Sequence, residues 1–269
     1  MEYEIIVVDN NSSDATITII EKSFPAVRII KNQQNKGFAV AANQGANLAV
    51  GEILFFLNPD TEIPNEFAGH VIQLMKDFPN RRIIGFQFVD SSGNRSSSSW
   101  KLPTIRIIAV ESWLPFRLSD PIVSVTVPSM ASVEMVSGGC MMIRSEEFRS
   151  LQGFDERFFL YYEDADLCLR ARHAGYAVVL NPDVQIIHRG RGSFDTSYYD
   201  FYPLYYRGKL LYCSKHFTPT GFRIARFCIM SGILLRIVLY NLARLFPGMS
   251  DLAKGHLNAY RQLQSFDIR

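Results

Sequence analysis

The stretch that decides the fold is "FFLNPDTEI", residues 55–63, where an apolar run stops and a carboxylate follows at once. The apolar run predicts a buried strand, and Pro59 ends that strand because proline has no backbone N–H to donate. Asp60 is then left at the carboxyl end of a strand, which is where open α/β sheets bind their ligands. Asp9 ends the apolar segment "EIIVVD" in the same way. The two acids therefore predict a ligand site along one edge of a sheet.

Strand-like and helix-like segments alternate around these acids. Strands are predicted at "EIIVVD", "VRIIKN", "EILFFLNPD" and "RIIGFQFVD", with amphipathic or Ala-rich helices between them. This alternation predicts an α/β domain with a mostly parallel, doubly wound sheet. Residues 90–99 are polar and predict a loop, and residues 100–133 show no clear period.

The tripeptide Asn-Pro-Asp occurs twice, at residues 58–60 and again at residues 181–183 in "VVLNPDVQ". Asn-Pro and Pro-Asp pairs are ordinary turn formers, so at least one copy is expected to be only a turn. The tripeptide by itself therefore leaves open whether Asp60 is a ligand or a turn residue.

A second cluster of candidates follows in "LYYEDADLCLRARHAG". Glu163 and Asp164 open a predicted helix, where the helix dipole favours acids whether or not they act chemically. The same dipole would keep a carboxylate ionised near neutral pH, which suits a general base. His188 ends an apolar strand and precedes a basic run that could meet phosphates. A histidine, an aspartate and a diphosphate together would make a divalent-metal site.

Composition limits the class of protein and its compartment. The chain has 269 residues, of which 48% are hydrophobic and 20% charged, enough for a sizeable core. Its four cysteines are far apart in sequence, which argues against zinc or a disulfide scaffold and fits a reducing cytoplasm. No signal peptide is predicted, because the start lacks a basic segment and a cleavage site.

The charge is uneven, with a basic C-terminal part. Residues 201–269 contain ten Lys and Arg and two Asp, a net charge of +8, although the whole chain is only +2. On a helical wheel for residues 221–246, four arginines fall within an arc of about 140°: Arg223, Arg226, Arg236 and Arg244. The rest of the wheel is made up mainly of Ile, Leu, Phe, Val and Met. The wheel predicts a helix lying in an anionic membrane surface, with its arginines among the headgroups. The alternatives are packing on the catalytic domain or on a second subunit. No nucleic-acid partner is expected, because no binding motif accompanies the charge.

Several of these motifs, taken in order, resemble glycosyltransferase family 2, most closely its bacterial rhamnosyltransferase-like members. They are "IIVVDNNSSDAT" (5–16), "NKGFAVAANQGANLAVGEILFFLNPDTEI" (35–63), "VSGGCMMIRSEEFRSLQGFDERFFLYYEDADLCLRARHAGY" (136–176) and "VQIIHRG" (184–190). The resemblance covers roughly residues 3–192. Several motifs in the right order are far more specific than any one of them alone.

The resemblance implies a GT-A nucleotide-diphospho-sugar transferase fold and an inverting, metal-dependent sugar transfer. It implies Asp164 as the base that deprotonates the acceptor and Glu163 as a residue that places the acceptor. The implied metal ligands are Asp60 and His188, holding Mg²⁺ or Mn²⁺ on the diphosphate of a UDP- or dTDP-sugar. The implied nucleotide-binding residues are Asp9, Asn10, Gly37, Asn58 and Asp60.

Two features depart from the family pattern. Asn58 replaces the first acid of the D-x-D motif, which leaves one carboxylate there, although Asn-Pro-Asp is common in this branch. Family members also begin with a strand and helix ahead of "EIIVVDN", and that strand lies mid-sheet against the base-binding site. Residues 1–200 are therefore expected to form an N-terminally truncated GT-A domain, and residues 201–269 a basic, amphipathic, membrane-associating helical tail.

Three hypotheses follow for function. The first is a glycosyltransferase moving a sugar, with rhamnose a candidate, onto a lipid-linked or polysaccharide acceptor in cell-envelope glycan synthesis. It would act in the cytoplasm, peripherally on the inner face of the membrane. The second is a truncated, non-catalytic remnant that is membrane-bound but holds no nucleotide. The third is a nucleotidyltransferase, which would need a Gly-rich basic triphosphate loop near the N-terminus, and the sequence shows none there.

Overall fold

A computed structural model describes residues 2–76, 80, 82–114, 124–189, 198–243 and 248–265. The first elements in chain order are β1 (Ile6–Asp9), α1 (Thr16–Ser23), β2 (Arg28–Lys31), α2 (Phe38–Leu48), β3 (Ile53–Leu57), β4 (Thr61–Glu62), α3 (Asn65–Lys76) and β5 (Arg82–Val89). They are followed by β6 (Ser99–Trp100), α4 (Ile105–Trp113), β7 (Ala131–Ser132), β8 (Met135–Val136), β9 (Cys140–Arg144) and α5 (Ser145–Ser150). The last elements are α6 (Glu163–His173), β10 (Ala177–His188), α7 (Tyr198–His216), α8 (Pro219–Leu242) and α9 (Met249–Gln264).

The central sheet has the strand order β3-β9-β5-β10-β4, and β7 also pairs with β10. The predicted α/β fold class is confirmed, but the pairing is mixed rather than mostly parallel. Strands β5 and β10 run parallel, whereas β9 runs antiparallel to both β3 and β5. The second Asn-Pro-Asp segment, a possible turn in the sequence, lies inside a single long strand, β10, which has an irregularity at Asn181 to Gln185.

Strands β1 and β2 pair in parallel as a separate two-stranded sheet. The Glu4 carboxylate joins this unit to the chain just before β3, because it accepts hydrogen bonds from the N–H groups of Val50 (2.7 Å) and Gly51 (3.1 Å). Helix α2 packs on β1 through Gly45, where an added Cβ would lie 3.4 Å from Val8.

The central strands are buried on both faces of the sheet. Ile83 packs into one apolar cluster and its neighbour Ile84 into another, as side chains that alternate along a strand must. Met141 and Met142 of β9 divide between the same two clusters. Near-continuous apolar sequence in β5, β9 and β10 follows from this double burial.

The stretch that showed no clear period in sequence contains helix α4. Thr104 caps the helix by accepting a hydrogen bond from Ile107 N at 3.2 Å. Strand β6 just before it pairs with β8. Helix α4 packs against α8 and buries Ile108 there. The sequence "IRIIAVESW" is apolar around most of its circumference, so no single stripe marks it as a helix.

The predicted helical C-terminal region is confirmed, and it packs on the α/β part rather than apart from it. Leu211 and Tyr212 of α7 belong to the main apolar cluster. Gly208 lets α7 approach the chain before α6 closely, since a Cβ there would lie 2.4 Å from Tyr161 O. A division into domains at residues 200 and 201 stays a proposal.

The prediction that the arginine arc of α8 meets headgroups is wrong for Arg236. Its side chain is buried and donates to backbone carbonyl oxygens at the end of α4, among them Leu114 O at 2.7 Å. Arg223 is exposed, and Arg244 lies outside the described residues. No helix among the described residues is both long enough and apolar enough to cross a bilayer.

Candidate active site

The Asn58-Pro59-Asp60 turn is held from two sides. Asn58 N donates to Gly139 O at 2.8 Å, which fixes the turn to the start of β9. Thr61 N donates back to Asn58 O at 3.1 Å and closes the turn. Strand β4 then pairs with the end of β10, with Thr61 opposite His188. The turn therefore lies where β3, β9 and β10 meet.

Asp60 and His188 lie side by side, as predicted for a metal pair. His188 Nε2 is 3.4 Å from Asp60 Oδ1, and the Asp60 side chain is only 7% exposed. The His188 ring stacks on Phe88 with 4.7 Å between ring centroids, which fixes the plane of the imidazole. Arg189 N donates to Asp60 O at 2.9 Å, and its guanidinium pairs with Glu62. Residues 190–192 of the predicted basic run lie outside the described residues.

A glycine turn joins this pair to the second acidic cluster. Gly138 N donates to Asp164 Oδ2 at 3.2 Å, and Ala165 N donates to Asp164 Oδ1 at 2.8 Å. The next residue, Gly139, has no room for a side chain, because a Cβ would lie 2.5 Å from Asn58 Nδ2. The structure therefore brings Asp164 and the Asn58–Asp60 turn against two successive residues of one glycine turn.

Burial sets the electrostatics of the acidic pair. The two residues before α6, Tyr161 and Tyr162, have positive φ angles of 68° and 72° and turn the chain inward. Burial raises the pKa of Glu163 well above its usual range, and the charge of Asp164 adds to the effect. Burial also raises the pKa of Asp164, against the hydrogen bonds from Gly138 and Ala165. The sequence argument, which considered the helix dipole alone, therefore gave the wrong direction.

These shifts divide the roles within the pair. Glu163 is buried, and its Oε2 has no hydrogen-bond partner among the described residues that would stabilise a negative charge, so burial favours its protonated form. Asp164 loses its proton first because two backbone N–H groups stabilise its charge. The hydrogen bonds therefore favour the negative charge on Asp164 and a proton on Glu163.

Two of the predicted nucleotide-binding residues, Asp9 and Asn10, lie at the end of β1. Asp9 is buried, and its Oδ1 accepts a hydrogen bond from Ser12 N at 3.1 Å. Asn10 Nδ2 donates to Gly37 O at 3.0 Å, and Asn10 Oδ1 accepts from Asn32 Nδ2 at 2.9 Å. Both ends of the Asn10 amide are thus engaged within the protein, which positions the loop before α2.

Gly37 has a backbone role. Its φ is +86°, and a Cβ there would lie 2.3 Å from Phe159 O. The next residue, Phe38, donates its N–H to the same carbonyl at 2.8 Å. The loop that leads to the acidic pair is therefore fastened to the start of α2, beside the end of β1.

Asp166 lies in α6, two residues after Asp164, and its partners were not predicted from the sequence. It is fully buried and accepts hydrogen bonds from Arg170 Nε (2.8 Å), Lys215 Nζ (2.7 Å) and His216 Nε2 (2.7 Å). Burial alone would raise its pKa, but the bond from His216 and the charges of Arg170 and Lys215 lower it overall. In the sequence, Asp166 was visible only as the third acid of the E-D-x-D pattern. Its partners Lys215 and His216 could not be inferred, because they follow about 50 residues later.

The residues at the Asn58–Asp60 turn fit a divalent cation that takes most of its ligands from water and from the phosphates of a bound substrate. Among the described residues, no group of three or more His, Cys, Asp or Glu side chains could enclose a metal. Mg²⁺ usually takes only one or two protein carboxylates and completes its shell with waters and substrate phosphates. Asp60 and the neighbouring His188 match that smaller donor set.

Comparison with known families gives two overlapping matches. The family described as "Glycosyl transferase family 2" matches residues 1–149, more than half of the chain. The family described as "N-terminal domain of galactosyltransferase" matches residues 127–190, which include the glycine turn and the acidic pair.

Curated relatives are similar over about two thirds of the chain. The N-acetylglucosaminyl-diphospho-decaprenol L-rhamnosyltransferase of Mycobacterium tuberculosis is 26% identical over 201 residues, covering 68% of this chain and 66% of the relative. The dTDP-rhamnosyl transferase RfbF of Shigella flexneri is 28% identical over 196 residues, covering 68% of this chain and 59% of the relative. The chain thus spans just under two thirds of the length of these relatives.

One solved structure supports the fold. The mannosyltransferase PcManGT from Pyrobaculum calidifontis, solved with GDP-Man and Mn²⁺, superposes with a TM-score of 0.51 at 15% identity. The superposition covers 95% of this chain and 75% of that structure. At this identity, the likeness concerns the architecture alone.

Proposed function

Because the chain belongs to glycosyl transferase family 2, we propose that it transfers a sugar with inversion from a nucleotide-sugar to a hydroxyl acceptor. The observation that carries the proposal is the glycine turn of residues 138–139, which contacts both Asp164 and the Asn58–Asp60 turn. A proton acceptor and a diphosphate-binding turn are then neighbours. An inverting transfer needs both, on opposite sides of the sugar carbon that reacts.

Asp164 is proposed as the general base. The acceptor oxygen forms the new bond to the sugar carbon, its proton passes to Asp164, and the bond from that carbon to the diphosphate oxygen breaks. The raised pKa of Asp164 makes it a better proton acceptor than an exposed aspartate. Neutral Glu163 has a buried carboxyl that could donate a hydrogen bond to the acceptor and place it.

Asp60 and His188 are proposed to hold Mg²⁺ or Mn²⁺, with Asn58 shaping the turn. The ion would supply positive charge to the departing nucleoside diphosphate. The stack on Phe88 and the contact with Asp60 keep His188 in one orientation. Asp9, Asn10 and Gly37 are proposed to form the nucleotide end of the site.

The donor and acceptor are proposed from the relatives. A UDP- or dTDP-sugar is the donor, and dTDP-rhamnose is the first to test, since two relatives are named as rhamnosyltransferases. The acceptor is a lipid-linked or polysaccharide glycan of the cell envelope, as the name of the mycobacterial relative suggests. The enzyme would then act at the cytoplasmic face of the membrane, without crossing it.

The replacement Asp164→Asn tests the base. We expect transfer to fall by about 100- to 10,000-fold, because an amide cannot accept the proton. Binding of dTDP and UDP with Mn²⁺, measured by calorimetry, should stay as in the unmodified chain. The matched control is Asp251→Asn, which changes an exposed acid in the first turn of α9. Normal turnover by Asp164→Asn would contradict the assignment.

The pH profile tests the same residue independently. Because the pKa of Asp164 is raised, the base becomes protonated at a higher pH than an exposed aspartate would. As the pH is lowered, the transfer rate should therefore begin to fall at a higher pH than a base with the pKa of an exposed aspartate would give. If a folded sample binds neither nucleotide with Mn²⁺, the non-catalytic alternative is favoured instead.

A further inference from the structure

We propose that one exposed face of α8 binds the surface of an anionic bilayer, an inference that deepens the proposed membrane-linked acceptor and rests on it. The apolar face, as it is called below, consists of seven side chains: Ile224, Phe227, Leu234, Leu235, Val238, Leu239 and Leu242. All are exposed, with Phe227 at 67% and Leu242 at 77%. Contiguous exposed apolar surface of this kind marks an interaction site.

The spacing of these residues makes one continuous surface. On a helical wheel at about 100° per residue, the seven side chains fall within an arc of about 140°, so they lie along one side of the helix. The opposite side of α8, including Ala225, Ile229 and Ile233, is buried against α4, α7 and α9. Helix α8 therefore has one apolar side in the core and a second one in contact with solvent.

Trp113 lies beside Ser231, the one polar residue within the apolar face. Ser231 lies within the face, and its Oγ accepts a hydrogen bond from Trp113 Nε1 at 3.0 Å. The indole is 47% exposed, so it extends the apolar surface beside Ser231. Tryptophan prefers the boundary between lipid and water, because its ring is apolar and its N–H is polar.

The charge of α8 favours lipid as the occupant. Residues 219–242 contain three arginines and no acid. Arg223 lies exposed at the edge of the apolar face, whereas Arg236 is on the buried side. An anionic headgroup layer complements this charge, whereas a second copy of α8 would bring only more arginines. The helix is thus suited to lie flat on a bilayer, with the apolar face inward.

The test is flotation of the full chain with vesicles of phosphatidylglycerol and phosphatidylethanolamine. The face variant changes three of the most exposed residues: Phe227→Gln, Val238→Gln and Leu242→Gln. The matched control makes the same kind of change at exposed apolar residues in or just after α1 and after α2: Ile19→Gln, Phe24→Gln and Val50→Gln. We expect the face variant to bind vesicles at least about tenfold more weakly, and the control to bind normally.

Two outcomes would overturn the proposal. One is an unmodified chain that does not float with these vesicles. The other is a face variant that floats normally. If the mass of this variant, measured by light scattering, also differs from that of the unmodified chain, the face is assigned to contact between copies. Calorimetry of Mn²⁺-dependent dTDP binding on the same samples keeps the two proposals apart, because the face variant should bind nucleotide normally even when it no longer floats.

A second measurement needs no disruption of α8. Brominated lipids quench tryptophan fluorescence only on close approach, so Trp113 should be quenched when vesicles are added to the unmodified chain. The quenching should disappear in Trp113→Phe, which keeps Trp100 as the remaining indole. Unchanged quenching in Trp113→Phe would contradict the placement of the face. The charge contribution is measured with Arg223→Gln, which should weaken binding to anionic vesicles only.

Discussion

The two Asn-Pro-Asp segments have the same composition and opposite surroundings. At residues 58–60 the tripeptide ends β3, and the Asp60 side chain is almost buried beside His188. At residues 181–183 it lies inside β10, with Asn181 buried and Asp183 exposed. There Asp183 N donates to Asn181 Oδ1 at 3.0 Å, a hydrogen bond within the tripeptide. The position in the sheet, not the tripeptide, decides which aspartate is a candidate ligand.

The second copy still affects the site, through strand register. Asn181 lies opposite Phe86 of β5, and Gln185 lies opposite Gln87, so residues 182–184 of β10 have no partner on β5. An odd number of extra residues exchanges the faces to which the following side chains point. The bulge therefore sets the side on which His188 emerges. The first copy provides Asp60, the candidate metal ligand, and the second sets the orientation of His188 beside it.

The largest effect is expected from Asp60→Asn. The change removes the one carboxylate of the turn while keeping its shape. We expect kcat/KM for sugar transfer to fall by about 1,000-fold, since a metal ion contributes several kcal/mol to the reaction. Calorimetry should also show that Mn²⁺ no longer strengthens dTDP binding. Transfer at the normal rate would remove the distinction between the two copies.

A smaller effect is expected from His188→Gln. Loss of the imidazole beside Asp60 should weaken Mn²⁺ affinity by about 10- to 100-fold, as for other residues that support a metal ligand. Activity measured against Mn²⁺ concentration should recover in part at high metal. Phe88→Leu is the control for the loss of ring stacking alone. A His188→Gln variant with unaltered Mn²⁺ dependence would show that His188 is structural.

Asn181→Ala should act mainly on stability. The change removes the acceptor for Asp183 N in the bulge, which should cost about 1 kcal/mol of unfolding free energy. Urea unfolding measures this cost directly. A small loss of activity should accompany it, because the register of His188 depends on the bulge. A large loss of activity without loss of stability would place the second copy in the site itself.

The smallest effect is expected from Asp183→Asn. Its side chain is exposed, so unfolding free energy should change by less than about 0.5 kcal/mol. Transfer activity and Mn²⁺ dependence should match those of the unmodified chain. Any effect comparable to that of Asp60→Asn would break the comparison.

Sequence reasoning identified the elements of the α/β part and the order of the site motifs. Apolar runs and turn residues are local signals, so β3, β5 and the start of α6 could be placed from short windows. It also paired Asp60 with His188, because both end strands. It missed α4, whose apolar residues cover most of the helix surface and leave no stripe. It also missed the partners of Asp166, which lie about 50 residues away along the chain.

By itself, the sequence determined the fold class, the family resemblance and which acids end strands, since all of these depend on neighbouring residues and their period. Only the tertiary structure decided which groups became buried. The Arg236 side chain is buried in the packing of α8, whereas the other side of this helix is apolar and exposed. Burial also raised the pKa of Glu163 and Asp164, where the helix dipole alone pointed the other way. Desolvation depends on every segment that packs around a group, and no local window of sequence contains that information.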